Sequence, residues 1–218
     1  MAEPPNIAVP ALENLGLSRE RPLVLIDVDE VLGLFMQGFG DYVATQGLEM
    51  RIDRFALFQN IYRPGETQHL DIAEGKKLFD AFFAGHCHNL EPAPGAVAAL
   101  NRLAPHAEIL ILSNAPADAE RLRTEWLRKH GLEHPLVLNS GPKGPIAAGL
   151  TGQTPHRTAF VDDLLSNLDS VADHSPDTAR FQHVADLRLR DYAPRSERHR
   201  RIDDWRELGE AIEQAIRG

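Results

Sequence analysis

The stretch Leu23-Val-Leu-Ile-Asp-Val-Asp-Glu-Val-Leu32 decides the fold. Leu23 to Ile26 are apolar without alternation and stop at an acid, the pattern of a strand buried on both faces within a helix-covered sheet. Asp27 and Asp29 follow two apart at the strand's C-terminal edge, where open α/β sheets place their ligand crevice. Two carboxylates leaving a buried strand repel each other unless a cation or a shared proton intervenes, and an oxygen-rich site suits magnesium. A lone Asp-x-Asp also fits two solvated loop acids. The reading therefore turns on what the later strands carry.

They carry more polar ends. Glu108 to Leu112 reads as a second buried strand ending in Ser113-Asn114, and Pro135 to Leu138 as a third. Thr158 to Val161 is a fourth, ending in Asp162-Asp163, and Phe181 to Val184 is a weaker last strand. Apolar residues three or four apart predict helices between them: 96–103, a stripe of Ala119, Leu122 and Trp126, a short one near 146–150, 164–171, and a last one over 205–216. This alternation implies an α/β, Rossmann-like three-layer core with a parallel sheet and right-handed crossovers. Between Leu32 and Pro92 no strand-like run is visible. Leu32, Phe35, Phe39 and Val43 mark one helix there, and Ile72 to Phe83 a second. The expected division is an N-terminal arm over 1–20 with one helical turn near Ala11 to Leu15, a core of 21–32 and 93–218, and a small helical cap over 33–92. The cap's aromatics should form a small core. Its Arg51, Arg54 and Arg63 should be solvated for the most part; the sharper reading is that a few of these cap residues line the mouth of the crevice and meet a substrate's phosphate or ring.

Composition excludes several classes. Lys+Arg 23 against Asp+Glu 32 leaves a net charge of −9, which argues against nucleic-acid polymers and anionic membranes as partners. Cys87 is the only cysteine, so no internal disulfide or thiolate cluster forms. His86-Cys87-His88 lacks nameable partner ligands and reads as an ordinary loop. The first residues have no basic or apolar signal-peptide region, and no apolar run approaches the roughly 20 residues of a membrane span. A soluble, cytoplasmic protein is the expectation; its oligomeric state is not legible. The arginines from Arg188 to Arg201 are diluted by Asp186, Asp191 and Glu197, which suggests a solvated linker before the last helix rather than a nucleic-acid patch.

Three strand ends and one lysine, Lys143, thus converge on one crevice. The residue types fit phosphoryl transfer through a covalent carboxyl phosphate. Asp27 would be the nucleophile. Magnesium would be held by Asp27, the backbone carbonyl of Asp29 and Asp162, with Asp163 behind. Ser113, Asn114 and Lys143 would bind the phosphate oxygens, and Asp29 would serve as general acid and then base.

Leu-Ile-Asp27-Val-Asp29-Glu-Val-Leu, Leu-Ser113-Asn114, Lys143 and Phe-Val-Asp162-Asp163 resemble the four ordered motifs of the haloacid dehalogenase (HAD) superfamily, over about residues 22 to 170. The resemblance implies a Rossmann-like core, a magnesium cofactor and a helical cap of the C1 type inserted after the first motif. Within that family the phosphatases carry a second aspartate two residues after the nucleophile, and the dehalogenases lack it. Asp29 therefore implies a phosphatase of a small phosphorylated metabolite. The opening to Phe35 is also similar to the first motif of 5′(3′)-deoxyribonucleotidases, which makes a nucleotide monophosphate one candidate substrate. Glu30 departs from the pattern, since glycine is usual there, and a bulky anion beside the phosphate could change substrate choice. A response-regulator receiver has a similar residue set but places its lysine last, after the acidic pair. A non-catalytic phosphate-ester binding protein on the same fold is the main alternative.

Overall fold

Strand β1 (Leu23–Ile26) lies at the centre of a six-stranded sheet, with all four of its side chains fully buried. Each such burial contributes roughly 1.5–3 kcal/mol, which is why an unalternating run makes a central strand. The computed structural model describes residues 9–217. The expected arm therefore lies partly outside the described residues. From residue 9 on it is docked: Leu12–Leu15 forms the expected helical turn, of the tighter 3-10 kind, and Leu12 and Leu17 are buried.

β1 is flanked by β4 (Glu108–Asn114) and β6 (Thr158–Asp162), with β5 (Leu136–Asn139) beyond β4. On the other side β7 (Ala179–Gln182) and a two-residue β8 (Arg200–Arg201) complete the order β5-β4-β1-β6-β7-β8, and every pairing is parallel. β4 and β5 build outward on one side of β1, and the next strand, β6, returns to its other side. That reversal opens a crevice at the C-terminal ends of β1 and β6.

The core is split by the sheet into two layers, following the alternation of side chains along each strand. Leu25, Leu110, Leu112 and Phe160 face α5 (Gly144–Thr151) and α6 (Leu165–His174) together with Leu12. Val24, Ile26, Ile109, Ile111 and Val161 face α3 (Ala96–Leu103), α4 (Glu120–Lys129) and α7 (Trp205–Arg217).

The insert after β1 holds α1 (Phe35–Thr45) and α2 (Ile72–Gly85). Phe35, Phe39, Phe79, Phe82 and Phe83 pack there in stacked, tilted and edge-on pairs 4.5–6.3 Å apart. Its hydrophobic residues are continuous with the core layer beneath it. The insert also contains an antiparallel pair, β2 (Glu49–Met50) with β3 (Ile61–Tyr62), where the sequence suggested no strand. Two residues are too few to show a period, and register is set by contacts across the loop between them.

The segment before α7 differs from the expected solvated linker. Arg190 donates to the carbonyl oxygens of Val184, Ala185 and Asp203, and Arg201, its side chain 4% exposed, donates to those of Ala193 and Arg190. The guanidinium groups satisfy carbonyls that irregular backbone would otherwise leave unpaired. No described helix is long and apolar enough to cross a membrane.

Candidate active site

Asp27 is the first residue past β1, and its backbone N–H donates to Val161 of β6 at 3.0 Å. That bond fixes the backbone beside the switch point and leaves the carboxylate, 6% exposed, at the base of the crevice. Lys143 precedes α5 with its side chain fully buried, its Nζ 2.7 Å from Asp27 Oδ1 and 2.7 Å from Asp162 Oδ2. The contact to Asp162 is a hydrogen bond; that to Asp27 is a close charge pair in which Oδ1 has no well-directed donor. Burial alone would lower the lysine's pKa, but the Asp162 and Asp27 carboxylates outweigh it and the ammonium is held protonated.

Carboxylate oxygens of Asp27, Asp162 and Asp163 all lie within 4.8 Å of one another. The three are not equivalent. Asp162 is saturated: its Oδ1 accepts from Leu164 N–H at 2.9 Å and Asn167 Nδ2 at 3.1 Å, and its Oδ2 accepts from Lys143 and, at 3.2 Å, from Asn167. Asp163 is also buried, yet among the described residues nothing donates to its carboxylate. Burial, then the charges of Asp162 and Asp27, push its pKa well above the usual carboxylate range. Burial likewise pushes Asp27 up to about 7, with Lys143 opposing and Asp162 adding to the rise. One lysine therefore serves three buried acids. The missing positive charge and the all-oxygen donor set fit a hard divalent cation such as magnesium, with Asp27 and Asp163 the carboxylates that have oxygens to spare.

Asp29 lies outside that triad, its side chain paired with the buried guanidinium of Arg123 on α4. Arg123 Nε and Nη1 have no acceptor, and the group lies over the Phe83 ring, 5.0 Å from its centroid. The sequence reading missed Arg123. The signal was present: it falls four residues after Ala119 and three before Trp126, inside the apolar stripe of α4. A charged residue on a buried helix face needs a partner.

Ser113, at the end of β4, is fully buried with no partner for its hydroxyl. The amide of Asn114 is tied into the neighbouring loop, donating to Gly141 O at 2.9 Å and accepting from Asn139 at 2.8 Å. Glu30 has φ 59°, the left-handed conformation that glycine adopts without strain. Its carboxyl turns inward, accepting from Met36 N–H at 2.6 Å and Asp186 N–H at 3.1 Å, so it is fixed by backbone rather than projecting at the nucleophile. Burial pushes its pKa up to about 8.

A cavity of about 280 Å³ opens above these groups. Asp27, Asp29, Asp163 and Asn114 line its floor, and Phe35, Met36, Phe55, Leu57 and Phe79 of the insert line its roof. Arg51, Arg54 and Arg63 do not reach it; they pair on the surface with Glu49, Asp53 and Glu74. Cys87 is buried and unpaired, its thiol pKa raised by burial, and the His86 ring packs on Tyr42.

No family model matches the sequence, and no curated protein is found similar to it. Solved structures are similar over nearly the whole chain. A magnesium-bound HAD-hydrolase from Bacillus subtilis is 14% identical, covering 88% of this chain and 99% of its own, with a TM-score of 0.60. A haloacid dehalogenase-like family hydrolase from Xanthomonas campestris is 12% identical over 92% of this chain and 98% of its own, with a TM-score of 0.57. A defluorinating L-2-haloacid dehalogenase is 17% identical over 91% of this chain and 96% of its own, with a TM-score of 0.56. The chain thus has the fold of the HAD-superfamily hydrolases. That fold alone does not choose between ester and carbon–halogen chemistry.

Proposed function

We propose that the protein is a magnesium-dependent phosphomonoesterase that works through an aspartyl phosphate on Asp27. The observation that carries this reading is the cluster of three buried acids, two of them paired with one lysine, with a free carboxylate at Asp163 and, at the end of β4, a buried Ser113 hydroxyl without a partner. Asp29 supports ester over halide chemistry, because departure of an alkoxide requires a proton and departure of a halide does not. The lining supports it too: among the described residues, no arginine or histidine lines the cavity to meet the carboxylate of a haloacid.

In this reading an Asp27 oxygen attacks phosphorus while the P–O bond to the alcohol breaks, and Asp29 gives its proton to the departing oxygen. Water then attacks the phosphorus of the aspartyl phosphate, Asp29 takes its proton, and inorganic phosphate leaves with Asp27 restored. Lys143 and the Ser113 hydroxyl match the charge on the non-bridging oxygens. Magnesium, held by Asp27, Asp163 and the Asp29 carbonyl, would offset the repulsion between nucleophile and phosphate. Asp162, the metal ligand named from the sequence, belongs to the same group of three carboxylates, and its oxygens also accept from Lys143, Asn167 and the Leu164 N–H. Arg123 is a positioning residue that fixes the orientation of Asp29.

The test is a panel of phosphate monoesters assayed with and without magnesium. Magnesium-dependent phosphate release, reduced at least about 1000-fold in Asp27→Asn, is the expected result. Magnesium-dependent binding of esters without turnover would instead make this a binding protein.

A further inference from the structure

The roof of the cavity is apolar, and the polar groups beneath it are few. Phe55, Ala56 and Leu57, with Phe79, are only partly buried, and they line the cavity together with Phe35, Met36, Leu164 and Leu189. Of the polar residues lining it, Glu30 is bound to two backbone amides, Asn114 to Gly141 and Asn139, and Asn167 to Asp162. The remaining three are the acids Asp27, Asp29 and Asp163, assigned above to the reacting centre. Arg188, next to Leu189, is held by the Asp186 carboxylate. Against this roof a hydroxylated leaving group would lose water without gaining a partner, at roughly 1–3 kcal/mol for each group left unpaired. A leaving group with a second anion would meet acids and, among the described residues that line the cavity, no lysine, arginine or histidine.

Resting on the phosphatase reading, we propose that the substrate is the phosphate monoester of a small apolar alcohol, a compact ring or short hydrocarbon chain without further charge, seated against Phe55, Leu57 and Phe79. The cavity's volume of about 280 Å³ sets the scale, at the small end of ligand pockets. A sugar phosphate or a nucleotide fits this lining poorly. The selectivity belongs to the insert, and the chemistry to the strand ends.

The experiment compares kcat/KM for cyclohexylmethyl phosphate and glucose 6-phosphate, both six-membered rings bearing a primary phosphate ester, with thymidine monophosphate as a third arm. These leaving groups are all primary alkoxides, so the comparison reports the pocket rather than departure. The expected result is at least a tenfold preference for the cyclohexyl ester, narrowed at least threefold by Leu57→Gln. Ala56→Ser serves the same purpose if Leu57→Gln does not fold. Equal or greater activity on the sugar phosphate or the nucleotide overturns the proposal and leaves the phosphatase reading standing. So does a preference that neither variant changes. If the wild type releases no more phosphate than Asp27→Asn from any ester, both fall together.

Discussion

Arg123 shows how one side chain can be decisive and still escape notice. It is fully buried, its visible acid partner is Asp29, and the two are 94 residues apart. The spacing within α4 marks it as buried; only the fold says what it meets. If it positions Asp29 for proton transfer, Arg123→Gln should lower kcat/KM for alkyl phosphates about 10–100-fold. It should lower that for p-nitrophenyl phosphate less than about threefold, because nitrophenolate leaves without a proton. Equal losses on both would mean a structural role only. Glu30 carries the opposite lesson. Its departure from glycine reads in sequence as an anion beside the phosphate. The structure shows a left-handed backbone position, with the strain offset by two amide hydrogen bonds.

Helix α5 presents Lys143 to the acids, and its closeness to α6 depends on Gly144. A Cβ at that position would lie 2.2 Å from the Ser170 carbonyl oxygen, which is backbone and has little room to yield. Gly144→Ala should therefore separate α5 from α6 and cost about 3 kcal/mol in urea unfolding, with activity falling as Lys143 is displaced. Unchanged stability would contradict this packing. The elements themselves were legible in proportion to their length. β1, β4 and β6 are runs of apolar residues ending in polar ones, and the helices show their stripes. β2, β3 and β8, two residues each, rest on contacts distant in sequence and left no pattern to read. The same holds for the site: each of its strand-end residues could be named from the sequence, whereas the free state of Asp163 and the engagement of Asp162 depend on side-chain packing.

At the scale of the molecule, the buried acids tie stability to pH. Asp27 and Glu30 are raised to about 7 and about 8, so the folded state holds their protons more tightly than the unfolded one. Their contribution is complete below the unfolded carboxyl values and is lost as pH rises through the folded ones. His183, buried and lowered to about 4, acts in the opposite sense below about 6.5. The clean window is therefore about pH 6.5 to 8. There the metal-free protein should melt at progressively lower temperature as pH rises, and added magnesium should raise the melting temperature most at the upper end, since it competes with the protons. Glu30→Gln should flatten part of the slope. A melting temperature that climbs across this window without metal would contradict the placement of these acids.

The most direct measurement is a crystal structure of the protein with magnesium and beryllofluoride, which mimics a carboxyl phosphate. The account predicts beryllium bonded to an Asp27 carboxylate oxygen, its fluorines facing Ser113 and Lys143, with a cation between Asp27 and Asp163. Beryllofluoride on any other side chain, or a crevice empty of both at saturating concentrations, would contradict it.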